Sequence, residues 1–337
     1  ENNLHYAQVI QIEDEWKPEV IKTPYDTYIL VIGESVRKDF MSSYGFKYIN
    51  NTPWMNKSNG VLFQDIISVS GSTQLSLINS LALKEGNKNN LNNSLITLTN
   101  KAEFETYWIS NQGIRGEFDS PIALMGKQAR HSTFLKDNNS EDKLYLPDEN
   151  LLPYIEQALA SNTKKLIIIH LMGSHPQPCV RTNNQFDTKV GSDSISCYVQ
   201  SIKNTDSLLA TIAEKASSHN LKWAMIYFAD HGLSFVDKNS SSANLTHSDK
   251  YKQNFQIPFF MTSFDAVTRD VINERRSNLS LLPFLSHWLG INDSKLSYQC
   301  DWLAKKDCNG QDKVISFKNQ LIEFNSLPED NIEIGNY

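Results

Sequence analysis

Two apolar runs in the chain stop on residues that can hold a metal. Residues 28–32 lead into Gly33 and Glu34, and residues 223–229 lead into Asp230, His231 and Gly232. Two carboxylates and an imidazole make a hard-to-borderline donor set suited to zinc. Singly, each is ordinary: a Glu after a strand is a solvated turn residue, and adjacent Asp-His is a local ion pair. The shared position at two strand ends is what points to a metal. A third run, residues 165–171, carries His170 near its end and His175 just past a Gly-Ser turn. A lone His170 would be a hydrogen-bonded core residue, but two histidines at a strand exit can hold a metal or a phosphate oxygen. His247, in a polar stretch, counts on its own as surface, as do His5, His131, His219 and His287. The last group is a hydroxyl. Thr73 follows Gly71 and Ser72 at the start of an apolar, helix-like segment. In that setting a Thr is ordinarily an N-cap; beside a metal it can be a nucleophile activated by that metal. Ser70 and Ser72 compete for the role, and pattern alone does not separate the three.

These residues need a scaffold that gathers strand ends, and an open α/β sheet does so, binding ligands just past the carboxyl ends of its strands. The runs at 28–32, 61–67, 106–110, 165–171 and 223–229 read as strands, the clearest being 165–171, apolar on both faces as in a parallel sheet. Residues 255–261 are apolar too, but Pro258 predicts an edge strand or a bulge. Helices are expected over 38–44, 75–83, from the 86–93 loop to about 101, 148–161 with Asp148 as N-cap, 198–217 and 280–289. The stretch 114–147 is too poorly periodic to assign. Residues 1–26 read as a lead-in and 27–337 as a single unit, since no repeat or low-complexity linker divides the chain. Strands alternating with helices predict an α/β/α sandwich around a largely parallel mixed sheet.

Composition sets the remaining bounds. The chain has 337 residues, 40% of them hydrophobic, and a net charge of −6; its mean hydropathy is −0.42. No apolar run reaches the roughly 18 residues that suggest a membrane span, and no basic cluster suggests a nucleic-acid partner. The chain begins at Glu1 rather than Met, so an upstream segment is expected to be missing. The four cysteines form two local couples, Cys179 with Cys197 and Cys300 with Cys308, in loop-like sequence without the spacing of a zinc knuckle. Such couples suit short disulfide staples and an oxidising compartment such as a periplasm.

At this point the motifs resemble a known family. Gly33-Glu-Ser-Val-Arg37, with Tyr44-Gly45 and Asn51-Thr-Pro53, resembles the opening motif of bacterial phosphoethanolamine transferases of the alkaline-phosphatase/sulfatase superfamily. Thr73-Gln-Leu-Ser-Leu77 resembles the nucleophile segment, His170-Leu-Met-Gly-Ser-His175 the His-x-x-Gly-Ser/Thr-His motif and Asp230-His-Gly232 the Asp-His-Gly motif. The order holds over about residues 27–262, and residues 107–112 resemble the strand that follows the nucleophile helix in the core-sugar branch. Three features depart from the pattern. Leu233 stands where Glu is common, Gly71-Ser-Thr73 replaces the Cys-Gly-Thr of the lipid A branch, and no Gly follows His247.

The resemblance implies that Glu34, Thr73, Asp230 and His231 ligate one zinc ion, with Thr73 accepting phosphoethanolamine. It implies that His175 and His247 hold the phosphate or a second zinc, and that His170 assists. The implied donor is phosphatidylethanolamine, and the implied acceptor a hydroxyl of lipopolysaccharide, on a core sugar or lipid A. The implied setting is a periplasmic domain held to the inner membrane by an N-terminal transmembrane domain; a monomer is expected. Three alternatives stay open: a sulfatase or phosphodiesterase, a phosphoglycerol transferase on the same fold, and a non-catalytic periplasmic binding domain. The Cys/Ser-x-Pro-x-Arg run of sulfatases is absent near Thr73.

Overall fold

The computed structural model describes residues 11–115, 120–138 and 143–336. Its centre is an eight-stranded sheet formed by β1 (Thr27–Gly33), β2 (Gly60–Phe63), β3 (Glu105–Arg115), β4 (His131–Asn138), β5 (Lys165–His170), β6 (Trp223–Ala229), β7 (Phe259–Ser263) and β8 (Arg269–Ile272). The order is β8-β2-β7-β6-β1-β5-β3-β4. All neighbours are parallel except at β7, which runs antiparallel to both β6 and β2. Every residue of β1, β5 and β6 is buried, as their unbroken apolar sequences require of strands covered on both faces. The principal helices are α1 (Thr73–Leu81), α2 (Leu95–Lys101), α3 (Leu152–Leu159), α4 (Asp193–Ser218) and α5 (Leu281–Trp288). α1 and α2 both pack on α5, and α3 and the short helix Pro53–Lys57 both pack on α4. The result is the expected sandwich around a mostly parallel mixed sheet.

Register explains how the strand ends converge. Gly33 pairs with Ala229, so Glu34 and Asp230 leave the sheet side by side. Ile32 and Ser110 both pair with His170, which brings the exits of β1, β3 and β5 to the same level. Four strands therefore deliver their next residues to one edge of the sheet.

Several local expectations need correction. The Lys/Asn-rich stretch 86–93 is no loop: Lys88–Ser94 is a strand paired with Ala82–Glu85, and it buries Asn89, Asn92 and Asn93. Asparagine is a poor strand former, and here pairing across a local hairpin overrides propensity. Residues 38–44 form two 3-10 turns, Lys38–Phe40 and Ser42–Tyr44, closed by Gly45 at φ 98°. Residues 61–67 split into β2 and Ile66–Ile67, which belongs to a separate three-stranded sheet. Pro258 does break its run, yet β7 is interior, because the proline falls between Gln256–Ile257 and β7, where no ladder bond is needed. α4 begins at Asp193, five residues earlier than expected, with the Ser192 side chain as its cap. Asp148 caps nothing; its carboxylate accepts the N–H groups of Met172 and Gly173 instead. Unassigned residues resolve into a helix, Pro121–Gly126, and β4.

Both cysteine couples are disulfides, with Cα–Cα separations of 5.0 Å for Cys179–Cys197 and 5.7 Å for Cys300–Cys308. Within the lead-in, Trp16 is buried in the main core and Glu19–Val20 pairs with Ile291–Asn292. The first ten residues, His5 among them, lie outside the described residues. No helix among the described residues is long and apolar enough to cross a membrane.

Candidate metal and nucleophile site

Thr73 is the first residue of α1, with Ser72 in the N-cap position, so the hydroxyl of Thr73 is not a cap. It points into the converging strand ends instead. Its Oγ1 lies 2.9 and 3.1 Å from the two Glu34 carboxylate oxygens, 2.5 Å from Asp230 Oδ2 and 3.3 Å from His231 Nε2. His231 Nε2 in turn lies 3.2 Å from Glu34 Oε1 and 3.5 Å from Asp230 Oδ2. The structure thus gathers the four residues named for the first zinc. Ser70 is buried on the same loop, but its hydroxyl has no hydrogen-bond partner among the described residues, and no bond from the Ser72 side chain caps the helix.

Each ligand candidate is held by a specific partner. Asp230 Oδ1 accepts the N–H groups of Ser35 (3.0 Å) and His231 (2.8 Å), leaving Oδ2 toward Thr73. Ser35 sits at φ 59°, a left-handed conformation that costs a non-glycine residue roughly 1–2 kcal/mol. Its hydroxyl also donates to Glu34 Oε1 at 2.8 Å. His231 Nδ1 is 2.7 Å from the Gly232 carbonyl; a carbonyl can only accept, so Nδ1 donates there and Nε2 is the nitrogen turned toward Thr73, Glu34 and Asp230. Gly232 has no room for a side chain, since a Cβ would collide with the Gln253 carbonyl.

Electrostatics follow from burying this group. Burial, with the Glu34 charge beside it, raises the Asp230 carboxyl to about 8. Burial also opposes ionisation of Glu34, but the hydrogen bond and charge of His231, then His175, hold its carboxyl well below the usual range. Burial likewise works against charge on His231, yet Asp230 and Glu34 raise it to about 9. Protons held by Asp230 and His231 thus balance the Glu34 charge in the dry pocket, and a divalent cation would take their place. The donor set, two carboxylate oxygens, a hydroxyl and a neutral imidazole nitrogen, fits zinc.

The other histidines divide. His247 follows the strand Asn244–Thr246, and its ring centroid lies 5.0 Å from that of His231 and 5.6 Å from that of His175. Glu34, His231 and His247 each offer a ligand atom, all within 4.8 Å of one another. Burial and the neighbouring His231 charge push His247 down to about 4, so it is neutral at pH 7. His175 donates Nδ1–H to the Pro176 carbonyl at 2.6 Å, which leaves Nε2 as an acceptor. His170 does not join them: it is buried edge-on to Trp108, and its Nε2 has no hydrogen-bond partner among the described residues. Burial pushes its pKa down to about 4. The histidines expected on the surface have partners there: His131 pairs with Glu105, His219 with Glu156, and His287 stacks on Tyr298.

Three residues not named as site candidates from the sequence also shape the site. Gln112 donates to Glu34 Oε2 at 2.8 Å. Asp148 braces the turn after His170 through two backbone bonds. Gly173, at φ +54°, closes that turn so tightly that a Cβ would sit 3.0 Å from the Glu34 nitrogen. Only the turn glycine has a pattern that points to its role.

The fold and this site define a class: residues 26–291 match the Sulfatase family model, and the chain belongs to that family. Within it, the chain is similar to phosphoethanolamine transferases. It is 37% identical over 332 residues to phosphoethanolamine transferase OpgE of Escherichia coli (strain K12), covering 98% of this chain and 63% of that one. The chain spans between 47% and 63% of the length of the curated relatives it matches. Among solved structures, the C-terminal periplasmic domain of EcEptC from Escherichia coli in complex with Zn superposes with a TM-score of 0.78 at 20% identity, covering 94% of this chain and 97% of that one. The integral membrane protein lipooligosaccharide phosphoethanolamine transferase A (EptA) from Neisseria meningitidis gives a TM-score of 0.64 at 16% identity, over 90% of this chain and 63% of that one.

Proposed function

We propose that the chain is the catalytic domain of a zinc-dependent phosphoethanolamine transferase. It takes phosphoethanolamine from phosphatidylethanolamine onto Thr73 and passes it to a hydroxyl of a lipopolysaccharide core sugar or lipid A. The observation that carries this reading is the convergence of Glu34, Asp230 and His231 on the Thr73 hydroxyl. Those four residues would hold zinc, which when bound stabilises negative charge on reacting oxygens and favours the ionised hydroxyl. In the first displacement the Thr73 Oγ1–phosphorus bond forms and the bond from phosphorus to the glycerol oxygen breaks. The Thr73 proton is lost and the diacylglycerol oxygen gains one. His175 Nε2, an acceptor while Nδ1 donates to Pro176, is assigned to take up the proton Thr73 loses and then deliver it to the glycerol oxygen. In the second displacement the acceptor oxygen bonds to phosphorus, the phosphorus–Thr73 Oγ1 bond breaks, and the acceptor's proton passes to the released Thr73 oxygen.

Neighbours described as a periplasmic domain and as an integral membrane protein support a periplasmic location and a membrane anchor outside this chain; an inner-membrane site for that anchor, a monomer, and a second zinc or the phosphate held by His175 and His247 complete the proposal. The two disulfides support an oxidising compartment. The reading is tested by following diacylglycerol release from phosphatidylethanolamine by the zinc-loaded domain. Asp230→Ala should lose bound zinc and release together. A variant with wild-type zinc content would refute the ligand set.

A further inference from the structure

Gln112 stands where three strand ends meet. The pairing of β3 with β4 shifts register between Ser110 and Gly113, a bulge that frees Asn111 and Gln112 from the ladder. Bulges beside functional sites re-aim side chains, and this one aims two consecutive residues at separate targets. Asn111 donates to the Asp148 carboxylate at 2.9 Å, the same carboxylate that receives the Met172 and Gly173 N–H groups. Gln112 Nε2 donates to Glu34 Oε2 at 2.8 Å and to the Leu171 carbonyl at 2.9 Å. Both partners can only accept, so the amide orientation is settled and both N–H donors are used.

Glu34 otherwise hangs from a short turn and has two oxygens that could face a cation. Ser35 holds Oε1, and Oε2 receives Thr73 Oγ1, itself a proposed ligand, and Gln112, the one side-chain donor to Oε2 outside the proposed ligands among the described residues. We propose that Gln112 is a positioning residue of the zinc site: its amide locks the Glu34 carboxylate to the exit of β5 and sets the face it presents to the metal. This inference rests on the zinc reading above. Partners of ligating carboxylates typically change metal affinity by about 10–100-fold when removed. A neutral amide suits the role, because it donates to Glu34 without adding charge to the ligand set.

The test is zinc affinity, measured by competition with a chelator on wild type, Gln112→Met and Gln128→Met. Gln128 is a half-buried glutamine that bonds Ser94 and Leu91, apart from the zinc ligands, and it controls for general loosening. Gln112→Met should bind zinc at least about 10-fold more weakly, Gln128→Met should match wild type, and excess zinc should restore transfer by Gln112→Met to within a few-fold. Affinity for Gln112→Met within twofold of wild type would overturn the proposal. So would an equal loss in both variants, or a transfer rate that excess zinc does not restore. If Gln112→Met does not fold, Gln112→Asn, one methylene too short to reach both acceptors, is measured in the same way with the same thresholds. Wild-type protein that takes up no zinc would sink the ligand set itself, a failure distinguishable from that of Gln112 alone.

Discussion

Removing the Asp330 carboxylate should unlock the floor of the site. Arg37, four residues past Gly33, is fully buried and bonds Asp39 at 2.9 and 2.7 Å, Asp330 Oδ2 at 2.9 Å and the Asp330 carbonyl at 2.7 Å. Asp330 Oδ2 also accepts the Phe235 N–H at 2.8 Å, so one carboxylate ties the turn after Glu34 to the loop after His231. Breaking a buried ion pair from one side costs about 3–5 kcal/mol. Arg37 keeps Asp39, whose side chain is 33% exposed, which argues for the low end, about 3 kcal/mol. An unfolding entropy of about 2.1 cal/mol/K per residue over 337 residues converts that to a fall in Tm of about 4 °C. Asp330→Ala should show this drop in a thermal melt of the metal-free domain. Lys238→Ala, which removes a partly exposed partner of Asp330, should cost less than about 1 kcal/mol. Equal small losses in both variants would show that Arg37 does not depend on Asp330 and would refute the clamp.

Asp206 accepts the Trp54 and Met55 N–H groups, and burial raises its carboxyl to about 6. The native state therefore holds a proton that the unfolded chain releases near pH 3.8; the stability linked to it is full below that pH and lost as pH rises through about 6. Comparing wild type with Asp206→Asn, the variant should lack a decline of roughly 2–3 kcal/mol across that window, and parallel pH profiles would contradict this. The disulfides should differ slightly: removing Cys179–Cys197, with a separation of 18, should cost about 3 kcal/mol, and removing Cys300–Cys308, with a separation of 8, about 2.5 kcal/mol. Denaturant melts of the paired Cys→Ser variants check this, and a larger loss for the shorter loop would contradict the chain-entropy estimate.

Much of this architecture was legible because it rests on patterns the chain repeats. β1 and β6 are unbroken apolar runs, and each leads into a carboxylate, Glu34 or Asp230, that no core would accept unpaired, so strand and ligand announce each other. Thr73 was harder: sequence could not separate it from Ser70 and Ser72, and only the helix start at Thr73 turns its hydroxyl toward Glu34 and Asp230. What stayed hidden depends on contacts far apart in sequence. The Lys88–Ser94 strand is a local exception, a hairpin with Ala82–Glu85 formed against the preference of its asparagines. Gln112 reaches Glu34 across 78 positions, and Asp330 reaches Arg37 across 293; neither has a local pattern to reveal it. His170 shows the opposite error, since a strand-end histidine that reads as chemistry is packed against Trp108.

The most direct test of the account is the mass of the intact, zinc-loaded protein after incubation with phosphatidylethanolamine and no acceptor. The site geometry predicts a single phosphoethanolamine adduct, mapping by peptide digestion to Thr73, absent in Thr73→Ala and discharged when acceptor is added. An adduct that persists in Thr73→Ala and maps to Ser70 or Ser72 would contradict the assignment of the nucleophile. Turnover that proceeds in wild type with no adduct at any time would contradict the covalent route itself.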